Sequence, residues 1–312
     1  MRIFDGTSIE FRYIHDRVGA ISILKGLSIL GVLIIHAKFD RFGVETLEVV
    51  ERLECLFQWC VPAFFFLSGY LTKLPINVLE LKDYACGKMH RLLVPYMAFT
   101  MLYKLTFAGL QLKGGLDFVQ PAFQLYFLLY LLIVSVVIAT LAVISRGSTI
   151  MLLIAMAISF VLASASNRLS HSHGPDWPLT GLYAANYLAG ILDRRGQTLI
   201  ASVILGCGTI TVSWLVGNLN LAAAGLPPLL LGALKMLDEW AVFKPFGWLG
   251  NLSAQIYVWH APLIMPAASK VSVSLVGSST NALVLTLVIA VAASVACDAV
   301  VERSRWLRPF RI

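Results

Sequence analysis

Residues 126–144 read YFLLYLLIVSVVIATLAVI, a run without a single charged side chain. A helix rises about 1.5 Å per residue, so a helix over this run is long enough to cross the roughly 30 Å hydrocarbon core of a bilayer. A second apolar run, Ala282 to Ala296, has the same character. These stretches predict helices that span a membrane.

The composition of the whole chain agrees with a lipid environment. Of the 312 residues, 58% are hydrophobic and 13% are charged, and the mean hydropathy is +0.80. A soluble domain carries about twice that charged fraction. Residues 1–17 are polar and charged, so we expect no cleavable signal peptide and a first span that acts as its own anchor.

Apolar stretches separated by short polar segments predict an all-α polytopic bundle of about ten transmembrane helices. The chain has no repeat of fixed period and no long linker, so we expect residues 1–312 to form a single domain. The predicted spans are residues 20–37, 56–72, 92–110, 122–145, 149–166, 181–192, 198–216, 221–236, 246–266 and 281–300.

The basic residues predict the orientation of the bundle, because cytoplasmic loops are enriched in lysine and arginine. With both termini in the cytoplasm, 17 of the 24 lysines and arginines lie on the cytoplasmic side and 7 on the other. These residues are scattered between apolar spans, so the net charge of +7 indicates topology and no nucleic-acid partner. We expect the protein to lie in a cell membrane, which in a bacterium is the inner membrane.

Metal sites and common catalytic motifs are not predicted. The five cysteines show no CxxC spacing, and the His171-x-His173 pair lacks a nearby thiol or carboxylate cluster. The sequence contains neither Gly-x-Ser-x-Gly nor a phosphate-binding Gly-x-x-x-x-Gly-Lys loop.

Ionisable residues inside the spans are candidate functional groups, because burying them in lipid costs free energy. Lys25, His36, His260 and Asp298 are of this kind. Lys25 and His36 are eleven residues apart, which places them on one helix face and about 16 Å apart along the axis. This pair fits a ligand with a phosphate head and a long reactive arm. Alternatively, Lys25 reaches the headgroups and His36 lies at the interface without a role.

Further polar residues lie near these spans. Lys88 and Arg91 share a helix face before the third span, where they can bind phosphate or set the topology. In the ninth span, Tyr257 and His260 share one face, with Ser253 a turn earlier. His260 and His36 are expected at similar depth, which favours a shared site.

Three segments together resemble the acyltransferase-3 family of membrane O-acyltransferases, and the resemblance covers nearly the whole chain. They are Ile21-Ser22-Ile23-Leu24-Lys25-Gly26 continuing to His36, Phe65-Phe66-Leu67-Ser68-Gly69-Tyr70 followed by residues 88–96, and residues 249–260. A basic residue, ten positions and a histidine form the family signature, which falls on Lys25 and His36. The chain departs from the family pattern at Lys88, where arginine is usual, and at Ser22, where an acidic residue is usual.

The resemblance implies transfer of an acyl group, most simply acetyl, from cytoplasmic acyl-coenzyme A to a hydroxyl of a polysaccharide or lipid-linked sugar. It implies no permanently bound cofactor and leaves the oligomeric state open. His36 is the expected general base, and direct attack and a brief acyl-histidine intermediate are both allowed. The expected site residues are the catalytic pair His36 and His260, the donor-binding group Lys25, Lys88, Arg91, Ser68 and Tyr70, and the acceptor-binding pair Tyr257 and Ser253.

A transporter or flippase for a lipid-linked sugar is the main alternative, because such proteins also have many spans and buried polar residues. Transporters often contain paired broken helices, whereas only the eighth span here contains a Pro-Pro pair, Pro227-Pro228. A structural subunit would not need two histidines within the membrane.

The orientation predicts which introduced cysteines an impermeant thiol reagent reaches. A cysteine near Gly174 should be labelled from outside the cell, and a cysteine near Gly196 should not, because the positive-inside rule places Gly196 in the cytoplasm. The opposite labelling pattern would invert the bundle and with it the side from which the donor enters.

Overall fold

The computed structural model describes residues 6–37, 56–106, 125–166, 177–217, 219–237, 241–260, 264–277 and 279–303. Within these ranges every regular element is a helix. The α-helices are α1 (Gly6–His36), α2 (Cys60–Leu71), α3 (Val78–Lys88), α4 (Val94–Thr106), α5 (Tyr126–Ile144), α6 (Thr149–Ser166), α7 (Trp177–Arg194), α8 (Thr198–Val216), α9 (Pro227–Leu237), α10 (Lys244–Asn251), α11 (Ser253–Trp259), α12 (Met265–Val276) and α13 (Thr280–Arg303).

Four helical segments are long and apolar enough to cross a membrane: Gly19–His36, Tyr126–Ile144, Thr198–Val216 and Thr280–Val301. Three shorter apolar helices accompany them, at Cys60–Leu71, Thr149–Ser164 and Pro227–Leu237. The prediction of an all-helical fold with membrane-spanning helices is confirmed. The number of ten spans and the cytoplasmic location of both termini stay predictions.

The predicted ninth span, residues 246–266, is interrupted in the structure. Helix α10 ends at Asn251, Leu252 has φ −97° and ψ 2°, and α11 begins at Ser253. Gly250 and Asn251 are both poor helix formers, which favours a break at this point. The expectation of one continuous helix was therefore wrong, and His260 lies at the end of the short helix α11.

Helix α3 occupies a segment that the sequence analysis treated as a connection between spans. Its first turn is capped by Asn77, whose side-chain oxygen accepts the Glu80 N–H at 2.9 Å. Glu80 in turn accepts the Ile76 N–H at 3.1 Å, so the Asn-x-x-Glu spacing forms a reciprocal cap close to a capping box. This local pattern was present in the sequence and was overlooked.

Helices α2 and α7 cross with their backbones in contact. A Cβ atom added at Gly69 would overlap the carbonyl group of Tyr187, and one added at Gly190 would overlap that of Phe66. Small residues at both helix surfaces permit this approach, which is a common way to pack helices in membranes.

A second close crossing joins α1 to α10. A Cβ atom at Gly26 would overlap the Phe246 carbonyl, and one at Gly250 would overlap the Ser22 carbonyl. The Ser22 hydroxyl also donates a hydrogen bond of 3.1 Å to the side-chain oxygen of Asn251. These contacts therefore fix the position of α1 along the axis of α10.

We expect Gly250→Ala to destabilise the protein by about 1–3 kcal/mol, because the new methyl group forces the two backbones apart. The matched control is Gly206→Ala in α8, where an added Cβ meets no atom within 4 Å. Alanine is favoured over glycine in a helix interior by about 1 kcal/mol, so the control should be as stable as the parent or slightly more stable. Thermal unfolding in detergent measures both, and equal stability of the two variants would contradict the close crossing.

Candidate functional site

The two histidines singled out in the sequence lie side by side. His36 ends α1 and His260 follows α11, and their ring centroids are 5.2 Å apart. His260 is completely buried, whereas His36 is partly exposed and lines a cavity.

The hydrogen bonding of His260 defines its tautomer. Its Nδ1 lies 3.0 Å from the carbonyl oxygen of Ile256, and because a carbonyl only accepts, Nδ1 carries the proton. In the neutral ring Nε2 then has a lone pair, and this buried atom has no hydrogen-bond partner among the described residues. The Nε2 atom of His260 can therefore accept a hydrogen bond within the site.

The cavity beside His36 has a volume of about 150 Å³. Helix α1, the start of α2 with the segment before it, the start of α5, helix α7 and the 3₁₀-helix Leu219–Gly225 all contribute to its wall. We call it the histidine pocket, and its lining residues are Val32, Ile35, His36, Gln58, Val61, Pro62, Tyr126, Tyr183, Leu221 and Ala224.

The predicted acceptor residues are buried behind the histidine pair. The ring of Tyr257 lies 5.9 Å from that of His260 and 4.9 Å from that of Phe127, measured between centroids. Ser253 is buried one turn earlier. Neither residue lines the histidine pocket, and their contact with an acceptor stays a prediction.

A larger cavity of about 450 Å³ lies at the opposite end of α2. Three cations, Lys73, Lys88 and Arg91, face one carboxylate, Asp83, in its lining. We call it the basic cavity, and its remaining lining residues are Ser68, Leu71, Thr72, Tyr84 and Gly87.

The electrostatics of the basic cavity favour an anionic ligand. Burial lowers the pKa of Lys88, and the nearby positive charge of Arg91 lowers it further. An anion bound between these side chains would raise the pKa of Lys88 again, because its negative charge stabilises the charged forms of Lys88 and Arg91. The Lys88 ammonium also lies 5.5 Å from the centroid of the Tyr84 ring.

A π-helical turn, Met89–Leu93, presents Arg91 to this cavity. Pro95 has no N–H to donate to the carbonyl of Arg91, so an α-helical bond cannot form there. In the turn just before the proline, the N–H of Val94 bonds to the carbonyl of Met89, five residues earlier. The proline thus explains the local widening, and such turns are frequent at functional sites.

Three predicted donor residues, Ser68, Lys88 and Arg91, lie together in the basic cavity. The other two, Lys25 and Tyr70, are not in its lining. Lys25 is half-buried on α1, and the ring of Tyr70 lies 5.1 Å from the Lys235 ammonium. The role of Lys25 and Tyr70 in donor binding stays a prediction.

Sequence reasoning missed a chain of hydroxyls that connects the wall of the basic cavity to the core. The Tyr187 hydroxyl lies 2.9 Å from that of Tyr84 and 2.8 Å from that of Thr72. Thr72 donates a 2.6 Å hydrogen bond to the carbonyl of Ser68. A tyrosine in the apolar middle of α7 was the available signal, because a buried hydroxyl needs a partner.

A second polar cluster that was missed joins α7, α8 and α9. Asp193 is buried, accepts a hydrogen bond from the Thr198 hydroxyl and lies 4.0 Å from the Lys235 ammonium. The adjacent Arg194 donates to the carbonyl oxygens of Leu71 at 2.9 Å and Tyr70 at 3.4 Å. Arg194 and Lys235 are among the 17 basic residues that the positive-inside rule assigns to the cytoplasmic side, and both also have these partners within the bundle.

In the part of the chain that the structure describes, no three His, Cys, Asp or Glu side chains gather as metal ligands would. Two groups considered from the sequence lie outside that part: the His171-x-His173 pair and the side chain of Asp298.

The fold and the two cavities define a helical membrane protein with a paired-histidine site at one end of α2 and a cationic cavity at the other. A family model described as an acyltransferase domain, that of acyltransferase-3, matches residues 18–299. The chain belongs to this family and is a membrane acyltransferase, as the resemblance implied. Comparison with curated proteins and with solved structures gives no significant match.

Proposed function

We propose that the protein transfers a short acyl group, acetyl in the simplest case, from acyl-coenzyme A to a hydroxyl of a polysaccharide or lipid-linked sugar. We place it in a cell membrane, in a bacterium the inner membrane, with the donor entering from the cytoplasm. The observation that carries the proposal is the presence of a cationic cavity and a paired-histidine pocket at opposite ends of α2.

The spacing of the two cavities suits a donor with a phosphate head and a long arm. Ser68 lines the basic cavity and Pro62 lines the histidine pocket, and six residues of helix separate them by about 9 Å. A distance of about 9 Å equals the length of about three residues of extended chain. The pantetheine arm of coenzyme A is longer than this distance. Lys88, Arg91 and Lys73 would then hold the phosphates while the thioester reaches His36.

The chemical step needs a base because an alcohol is a weak nucleophile at neutral pH. In our proposal His36 removes the proton of the acceptor hydroxyl as its oxygen attacks the thioester carbonyl. The new carbon–oxygen bond forms, the carbon–sulfur bond breaks, and coenzyme A leaves as a thiolate that is then protonated. His36 has this role because it lines a cavity, whereas His260 is fully buried behind it.

His260 acts in this proposal as a positioning residue. Its Nδ1 is fixed by the Ile256 carbonyl, and in this proposal the lone pair on Nε2 accepts a hydrogen bond from the His36 imidazolium as that ion forms and so stabilises its charge. A second group that orients the base is a recurrent arrangement in acyl transfer.

We expect His36→Ala to lower acyl transfer by about 10²-fold or more, because the base is lost, while the purified protein still binds acyl-coenzyme A. Transfer of a labelled acyl group measures the first effect and calorimetry the second. His90→Ala is the matched control, since His90 is exposed and lines neither cavity. Retention of more than a third of the activity in His36→Ala would remove His36 from the role of base.

For the donor site, we expect Arg91→Ala to raise the dissociation constant of acyl-coenzyme A by roughly ten- to a hundredfold. A charge-assisted contact with phosphate contributes about 1.5–3 kcal/mol, and each 1.4 kcal/mol is about tenfold in affinity. Arg91→Lys should recover only part of the loss, because lysine lacks the planar fork. Calorimetry with the donor alone measures all three proteins.

The matched control for this experiment is Lys82→Ala, which removes an exposed positive charge from α3 outside the basic cavity. Donor binding should be nearly unchanged in this variant. If Arg91→Ala also binds the donor normally but inserts poorly, Arg91 sets topology and the donor lies elsewhere.

A further inference from the structure

One wall of the histidine pocket is a short 3₁₀-helix, Leu219–Gly225, that precedes α9. Its residues Leu221 and Ala224 line the pocket. Gly225 packs directly against Thr209 of α8, and the Leu226 N–H donates to the Ala223 carbonyl at 3.1 Å. Pro227 and Pro228 then restrict the backbone, so this wall is held at its C-terminal end.

The pocket suits a neutral ligand. Among its described lining residues none is Lys, Arg, Asp or Glu, and most are aliphatic or aromatic. Gln58 supplies an amide that can donate to a carbonyl oxygen. A charged group would lose its hydration here without a compensating partner.

The volume of the pocket indicates whether the acyl group of the donor or the sugar of the acceptor can enter it. A cavity of about 150 Å³ holds benzene, which has six heavy atoms, and the histidine pocket measures about 150 Å³. An acetyl group has three heavy atoms and a butyryl group five. A hexose has twelve heavy atoms and a fatty acyl chain is longer still, so neither fits.

We propose that the histidine pocket holds the acyl group of the donor and that Leu221 and Ala224 set the longest acyl chain the enzyme accepts. This inference rests on the proposed transfer from acyl-coenzyme A. It places the thioester carbonyl beside His36 and the alkyl tail against the 3₁₀-helix. The acceptor then approaches from outside the pocket.

Two substitutions change the pocket in opposite directions. Leu221→Ala lengthens it, and we expect the ratio of kcat/KM for hexanoyl- over acetyl-coenzyme A to rise by about tenfold or more. Ala224→Val shortens it, and the ratio for butyryl- over acetyl-coenzyme A should fall by about tenfold, in line with the discrimination that one methylene group provides in an apolar pocket. A ratio of two donors does not depend on how much of a variant folds.

The matched controls carry the same changes on the 3₁₀-helix or directly after it, at residues that do not line the pocket. They are Leu226→Ala and Ala222→Val, since neither Leu226 nor Ala222 lines the pocket, and both donor ratios should stay at the parent value. Leu221→Val keeps the branched side chain and removes one methylene group, so it should shift the hexanoyl ratio in the same direction by a smaller factor even if Leu221→Ala is unstable.

Donor ratios that stay unchanged in Leu221→Val and Ala224→Val, with an active parent enzyme, would overturn the acyl pocket and leave the transferase proposal intact. A shift in preference among acceptors of different size, without a shift among donors, would overturn it as well and assign the pocket to the acceptor. A parent protein that turns over no acyl-coenzyme A of any length would instead refute the proposed function, and the acyl pocket with it.

Discussion

The close contact between the backbones of α1 and α10 sets the depth of the histidine pair. Gly26 and Gly250 form this contact, and each lies ten residues before a histidine in the sequence. Ten residues of helix rise about 15 Å, so His36 and His260 reach the same level even though a break at Leu252 separates α10 from α11. The site is thus positioned by two glycines remote from any chemistry, through a contact that admits no side chain.

The second glycine crossing, between α2 and α7, organises the space between the two cavities. Because these backbones touch, their side chains project to either side, and aromatic rings pack against one another there: Phe65 stacks on Tyr183 with centroids 4.4 Å apart and meets Phe127 at 5.1 Å. Tyr187 lies one turn from Tyr183 and bonds to Thr72 and Tyr84 near the basic cavity. The same two helices therefore provide an apolar wall at one end and a hydroxyl network at the other.

The sequence revealed the features that follow from a single segment. Charged or imidazole side chains in apolar runs identified Lys25, His36 and His260, and helical spacing identified Lys88 and Arg91. Other features depend on contacts between distant segments, and no single segment identified the partners involved. The hydroxyl of Tyr187, the buried Asp193 and the pocket wall at Ala224 acquire their neighbours only when α7, α8 and the 3₁₀-helix pack together. The break at Leu252 had a local signal, but the apolar character of residues 246–266 outweighed it.

Arg194 has a consequence for the field inside the basic cavity. Helix α2 ends at Leu71, and the C-terminus of a helix carries a partial negative charge of about half an electron. Because Ser68, Leu71 and Thr72 line the cavity, this end of the dipole would repel an incoming anion. Arg194 donates to the carbonyl oxygens of Tyr70 and Leu71 and so places a full positive charge where the dipole is negative. A residue outside the cavity thereby more than offsets the negative charge of a helix terminus that would otherwise repel the ligand.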